Sequence, residues 1–194
     1  MAEPLVRSCE LMSRDDTALL VVDVQQKLVP LIDGAGRMVW NIGRLIDAAA
    51  VLGVPVFATE QYPRGLGPTV PELASRLEGD VPEKLAFSCG GCAELVEGLR
   101  GRALNKVLVC GIETHVCVQQ TVFDLLADGW RVYLPVDAVG SRYRLDYETA
   151  LRRMDSAGVA LTTTEAAMFE WCAASGTPEF KAISELVKQS GPEA

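Results

Sequence analysis

The chain has 194 residues, 49% of them hydrophobic and 23% charged, which is enough for one domain with a sizeable core and excludes a mainly disordered chain. The 18 Lys and Arg against 26 Asp and Glu leave a net charge of −8, which disfavours contact with a phosphate backbone, so nucleic acid is not an expected partner. No apolar run approaches the ~20 residues of a membrane-crossing helix. The N-terminal stretch, with Glu3 and Glu10, lacks the apolar segment of a secretory signal, so neither a membrane nor an export route is expected.

In chain order, Ala18–Val22 is a short apolar run of the kind that forms a buried parallel strand. Met38, Ile42, Leu45, Ile46, Ala49 and Leu52 then recur at helical spacing up to Gly53. Val54–Ala58 is the next strand and Lys84–Phe87 a weaker one, followed by a helical pattern over Ala93–Leu99 that stops at Gly101. Lys106–Cys110 is a strand. Val118, Val122, Leu125 and Leu126 form a helical stripe ending at Gly129, and Arg131–Val136 is a strand. Tyr147, Ala150, Leu151 and Met154 form another helical stripe ending at Gly158, and Val159–Thr162 is the last strand.

A glycine just past a helix can close the last turn in the left-handed conformation. Four such stops, each followed by a strand, predict an alternating α/β order. Right-handed crossovers then place helices on both faces of a parallel sheet, a three-layer αβα arrangement. No linker, repeat or low-complexity stretch divides residues 1–194, so one domain is expected. Beyond the last strand, Met168, Phe169, Trp171, Phe180 and Leu186 lie where the sheet has little core left to cover. They are expected to be exposed and to pair two copies of the chain, a homo-oligomer with an isologous dimer as its minimal unit; the competing reading is that this tail folds back over an edge of its own sheet.

In such sheets ligands bind at the carboxyl ends of the strands. Asp23 directly follows Val22, where burial and a nearby cation can tune a base; the competing reading is a loop or helix cap. Cys117 lies in Gly111-Ile-Glu-Thr-His-Val-Cys117. With Thr114 as N-cap it falls in the first helical turn, where the dipole and free amides favour a thiolate and can hold an oxyanion. The competing reading is a small buried thiol. Lys84 reads either as a solvated strand-edge charge or, with Asp23 and Cys117, as the third member of a set converging at one end of the sheet.

Six cysteines, at 9, 89, 92, 110, 117 and 172, in a chain with its own core are expected as reduced thiols in the cytoplasm. Cys89-Gly-Gly-Cys92 has redox or zinc spacing; zinc needs about four ligands and there is one such pair, which leaves a dithiol switch beside the simpler reading of a loop entering a helix. Asp137 reads as a turn residue. His115, the single histidine, faces a different side of the helix start from Cys117 and is a pocket candidate rather than the base.

These segments, Leu19-Leu-Val-Val-Asp23-Val-Gln25, Glu83-Lys84-Leu-Ala-Phe-Ser88 and Gly111-Ile-Glu-Thr-His-Val-Cys117-Val, resemble the isochorismatase-like cysteine hydrolase family over roughly residues 16–171. The stretch Glu60-Gln-Tyr-Pro-Arg-Gly-Leu-Gly67 looks more like the poorly characterised isochorismatase domain-containing proteins than like the named enzymes of the family. The resemblance implies a six-stranded, Rossmann-like parallel sheet, Asp23 as general base, Lys84 beside it and Cys117 as nucleophile. It also implies a cis peptide between Ile112 and Glu113 and an oxyanion hole from the amides of Glu113 and Cys117. Gln25, Tyr62, Thr114 and His115 are candidate pocket residues, and the expected partner is a small molecule.

Nicotinamidases of the family carry an Asp-x-His metal pair where this chain has Thr59-Glu60-Gln61, so no metal and no other cofactor is expected. True isochorismatases resemble this chain but lack a cysteine at the nucleophile position, so the resemblance implies C–N bond hydrolysis through a thioester-type intermediate rather than vinyl-ether hydrolysis. The alternative is a binding or scaffold protein that kept the fold without turnover.

Overall fold

The computed structural model describes residues 6–192. Strand β1 (Thr17–Val22) is buried at every position, as befits a strand covered on both faces. Helix α1 (Ala35–Leu52) returns the chain to β2 (Val56–Gln61), and the short helices α2 (Pro63–Leu66) and α3 (Pro71–Ala74) precede β3 (Glu83–Lys84). Helix α4 (Ala93–Arg100), β4 (Lys106–Ile112), α5 (Gln119–Ala127), β5 (Arg131–Pro135), β6 (Val139–Gly140), α6 (Arg144–Ser156) and β7 (Ala160–Thr162) follow. Helices α7 (Thr164–Cys172) and α8 (Pro178–Lys188) complete the order.

The sheet runs β3-β2-β1-β4-β5-β7 with every neighbouring pair parallel, and β6 pairs with the end of β4. This is the three-layer α/β architecture read from the alternation, with the two-residue β6 added to a six-strand path. Strand alternation divides the core. Leu19 and Val21 pack with α1, α7 and α8 on one face, whereas Ala18, Leu20 and Val22 pack with α4, α5 and α6 on the other. Among the described residues no helix is long and apolar enough to cross a membrane.

Four expectations are corrected. Strand β2 extends to the polar residues Thr59, Glu60 and Gln61, because its backbone is paired on both sides: Asp23 N–H donates to the Thr59 carbonyl and Glu60 N–H to that of Pro82. Strand β3 ends at Lys84 rather than Phe87, since Leu85 and Phe87 turn outward with 78% and 52% of their surface exposed. Gly101 closes α4 at φ −69°, not in the left-handed region, as the chain leaves through a tight turn in which Arg102 N–H donates to the Leu99 carbonyl. Finally, most of the C-terminal segment is not an exposed apolar tail, although Phe169 is exposed as expected. Met168, Trp171 and Ile183 are buried and Leu186 packs against the same core. Both α7 and α8 lie on α1, so this segment supplies the layer that covers its own sheet.

One glycine fixes how closely the two central strands approach. Gly111, near the end of β4, has φ +116°, and a Cβ there would run into the backbone of Val22 on β1. That contact sets Asp23, the residue after Val22, against the loop that follows β4. Gly111→Ala is therefore expected to cost more than about 3 kcal/mol through strain and overpacking, read as a lowered midpoint in urea or as loss of soluble folded protein.

Candidate active site

Strands β1, β2, β3 and β4 end side by side, and each delivers a residue to one point. Asp23 leaves β1 in the left-handed conformation (φ +53°), one that Asp tolerates better than most side chains. Its carboxylate is fully buried and is held from two sides. Lys84 Nζ at the end of β3 donates to Oδ2 at 2.6 Å, and Thr59 Oγ1 on β2 donates to Oδ1 at 2.9 Å. Lys84, equally buried, directs its remaining donors to the carbonyls of Phe87 (2.8 Å) and Ala86 (3.3 Å). All three ammonium hydrogens thus have acceptors, which a buried cation requires.

Cys117 comes from the other side. After β4 the Ile112–Glu113 peptide is cis, and Thr114–Val118 forms one π-helical turn that runs into α5. The Glu113 carbonyl accepts from the amides of Val116 (3.0 Å) and Val118 (3.2 Å), which flank Cys117. Glu113, not Thr114, occupies the capping position, and it makes no side-chain cap. The Thr114 hydroxyl is buried and without a hydrogen-bond partner among the described residues.

The Cys117 thiol lies beside the Asp23 carboxylate. Burial and the Asp23 charge push its pKa far up, and Lys84 opposes them only in part. This corrects the expectation of a resting thiolate at a helix start, because desolvation beside a carboxylate outweighs the dipole. Burial likewise raises the Asp23 carboxyl, while Lys84, Cys117 and Thr59 pull it back without cancelling the rise.

The geometry adds two residues that the sequence reading missed. Thr59 directly follows Ala58 at a strand's carboxyl end, and that position was the available signal. Cys89, fully buried, sits 3.4 Å from Thr59 Oγ1, and its amide donates to Thr121 Oγ1 on α5 at 2.9 Å. Burial pushes its thiol up to about 11. Cys89 opens the turn that leads into α4, and Cys92 is buried at the start of that helix without a side-chain cap. All six cysteines are free thiols.

Residues 17–166 match the model of the Isochorismatase domain. The chain belongs to the isochorismatase family. It is 38% identical over 182 residues to mouse isochorismatase domain-containing protein 2A, covering 93% of this chain and 86% of that one. It is 39% identical to MAR1 ribonuclease of Caenorhabditis elegans, whose solved structure superposes with a TM-score of 0.87 over 94% of this chain and 95% of that one. A likeness of fold extends to a cysteine hydrolase from Pseudomonas syringae, at 23% identity and a TM-score of 0.74 over 88% and 98% of the two chains. The isochorismatase fold of this chain is thus one that hydrolases use.

Around the cluster of Asp23, Lys84 and Cys117 the remaining candidates of this family member divide. Gln25 is buried and bonds only backbone: its amide donates to the carbonyls of Gln61 (3.0 Å) and Gly67 (2.6 Å), and its oxygen accepts from Gln61 N–H (2.9 Å). It ties the β1 and β2 ends together and does not present a free donor to a ligand. Tyr62 (φ +41°) stands half-exposed where β2 ends. His115 turns away from Cys117, with Nδ1 3.0 Å from Ser141 Oγ. Asp137 accepts from Thr164 N–H (2.8 Å) and Oγ1 (3.0 Å) at the start of α7. Among the described residues no group of three or more His, Cys, Asp or Glu side chains is placed to hold a metal ion.

Because both charges of the pair are buried, removing one strands the other. Lys84→Met is expected to destabilise the fold by about 3–5 kcal/mol, and the double change Asp23→Asn with Lys84→Met to recover part of that loss. Urea unfolding of the single and double variants checks both.

Proposed function

We propose that this protein is a metal-independent cysteine hydrolase of small amide compounds. The observation that carries the reading is the meeting of Cys117 with a buried Asp23–Lys84 pair at the end of a parallel sheet. At rest the proton stays on Cys117. Asp23 accepts it as the sulfur attacks the amide carbonyl, so the charge moves between two adjacent buried groups rather than out to water.

The carbonyl oxygen becomes an oxyanion, which the amides of Glu113 and Cys117 hold. The C–N bond then breaks, the amine leaves with the proton from Asp23, and the acyl group remains on sulfur as a thioester. Asp23 next takes a proton from water, which attacks the thioester and releases the acid and the thiol. Lys84 keeps Asp23 able to return to its anion throughout. The segment that would hold a metal pair in a nicotinamidase is committed elsewhere. Thr59 bonds Asp23, and Glu60 Oε1 accepts from Thr69 N–H (2.6 Å) and Oγ1 (2.7 Å).

In this reading the protein works in the cytoplasm as a homo-oligomer, with the small-molecule substrate entering at the half-exposed rim of Tyr62. With the C-terminal helices in the core, the apolar side chains left for an interface include Leu85, Phe87, Tyr143 and Leu145. Light scattering at micromolar concentration is expected to give a mass at least twice the 20.9 kDa chain.

The function test is turnover of a panel of small amides, with an RNA oligonucleotide included because of the nematode relative. Cys117→Ala is expected to reduce amide turnover by more than about 1,000-fold, and the net charge of −8 leads us to expect no RNA cleavage. Amide turnover that survives loss of the thiol rules out the covalent route. Because burial raises the Asp23 carboxyl, its base form is lost on acidification sooner than that of an ordinary carboxylate. The acid limb of kcat/KM is therefore expected above the usual value of about 3.9.

A further inference from the structure

Behind the reacting pair lies a chain of three buried groups. Thr59 Oγ1, on a residue 1% exposed, has one hydrogen and gives it to Asp23 Oδ1 at 2.9 Å. The contact with Cys89 Sγ at 3.4 Å then runs the other way, with the thiol donating to the hydroxyl oxygen. Cys89 remains a thiol at neutral pH, since burial pushes it up to about 11, and its backbone is tied to Thr121 on α5. The titratable and charged groups facing Asp23 are Lys84 from β3, Cys117 from the turn before α5 and Cys89 from the turn before α4.

We propose that Thr59 is a positioning residue for the base, with Cys89 as the donor that fixes the direction of its hydroxyl. A hydroxyl that already receives a hydrogen bond from Cys89 is set to donate onward to Asp23. Lys84 holds Oδ2, so with Thr59 on Oδ1 both carboxylate oxygens are fixed and the ring of donors suits the anion. A protonated Asp23 keeps fewer of these bonds. The relay therefore favours the state of Asp23 that can accept the Cys117 proton. This inference rests on the reading of Asp23 as base, and its test is independent of the substrate.

The experiment follows the alkylation of Cys117 by iodoacetamide from about pH 4 to about pH 9. It resolves Cys117 from the other cysteines by peptide mass spectrometry in wild type, Thr59→Val, Thr59→Ser and Cys89→Ala. Wild type is expected to show an acid limb as Asp23 takes up a proton. Thr59→Val, which keeps the shape and loses the hydroxyl, is expected to move that limb up by about one pH unit. Thr59→Ser is expected to leave it in place, and Cys89→Ala to move it in the same direction by less.

Melting temperatures of the variants are recorded alongside. Should Thr59→Val not fold, the decision passes to Cys89→Ala, whose limb must move. A wild-type limb unmoved in the folded variants overturns the role of Thr59 and Cys89 while leaving Asp23 as base. A wild-type profile with no acid limb overturns Asp23 as base itself.

Discussion

The arrangement at the carboxyl end of the sheet depends on one interaction, the Lys84–Asp23 ion pair with neither side chain exposed. Two isolated charges in a protein interior lose several kcal/mol of hydration each, and their mutual attraction offsets this only when the remaining donors and acceptors are satisfied. Here they are satisfied by backbone and hydroxyl groups from several elements: the carbonyls of Ala86 and Phe87 on the lysine, and Thr59 on the aspartate. The requirement explains otherwise odd local features. The loop after β3 must curl so that two carbonyls point back at Nζ, and this turns Leu85 and Phe87 out into solvent. Strand β2 must continue through polar residues so that Thr59 stands level with the end of β1, where its carbonyl also takes the Asp23 amide.

What the sequence made legible follows from how local each signal is. The runs Ala18–Val22, Lys106–Cys110 and Arg131–Val136 read as strands because a parallel strand buried on both faces leaves no polar alternation. The stripes on α1, α5 and α6 read as helices because one face of each is core. Strand β3 was read too far along, to Phe87, since its two residues carry no periodicity to mark its end, and the polar end of β2 was hidden because its backbone pairing, not its side chains, makes it a strand. The C-terminal helices were misplaced for a related reason. Met168 and Trp171 are apolar whether they meet a second chain or α1, and only the three-dimensional path shows that α1 needs that cover.

Asp23, Lys84 and Cys117 stood out through the company of their motifs. Thr59 and Cys89 did not. Thr59 lies in a polar stretch that reads as loop, and Cys89 sits in a Cys-Gly-Gly-Cys spacing that points to metal or redox chemistry. Neither residue type is unusual in itself. Their contact with each other and with Asp23 spans separations of 30 and 36 residues, and no periodicity reports on that. The helix cap was displaced for a backbone reason: the turn after Glu113 is a wide one, so Cys117 reaches the site from a π-helical turn rather than from the third position of an α-helix.

That wide turn also settles which parts of the 113–117 segment face the reacting thiol. The Glu113 side chain points away, its Oε1 taking the Arg142 amide (3.1 Å) and guanidinium Nε (3.0 Å). The His115 ring is drawn to Ser141. Both anchors lie in the short stretch between β6 and α6, and β6 itself pairs with the end of β4. The two residues with the strongest charge or proton chemistry in the segment are thereby tied to a second loop, away from Asp23. The titratable groups that remain near the thiol are the Asp23 carboxylate, Lys84 and Cys89. A buried thiol is reactive only when its proton has somewhere to go. In the proposed reaction, drawing Glu113 and His115 aside leaves Asp23 to accept that proton, so an added two-residue strand and a pair of distant anchors would help define the acid–base partner of Cys117.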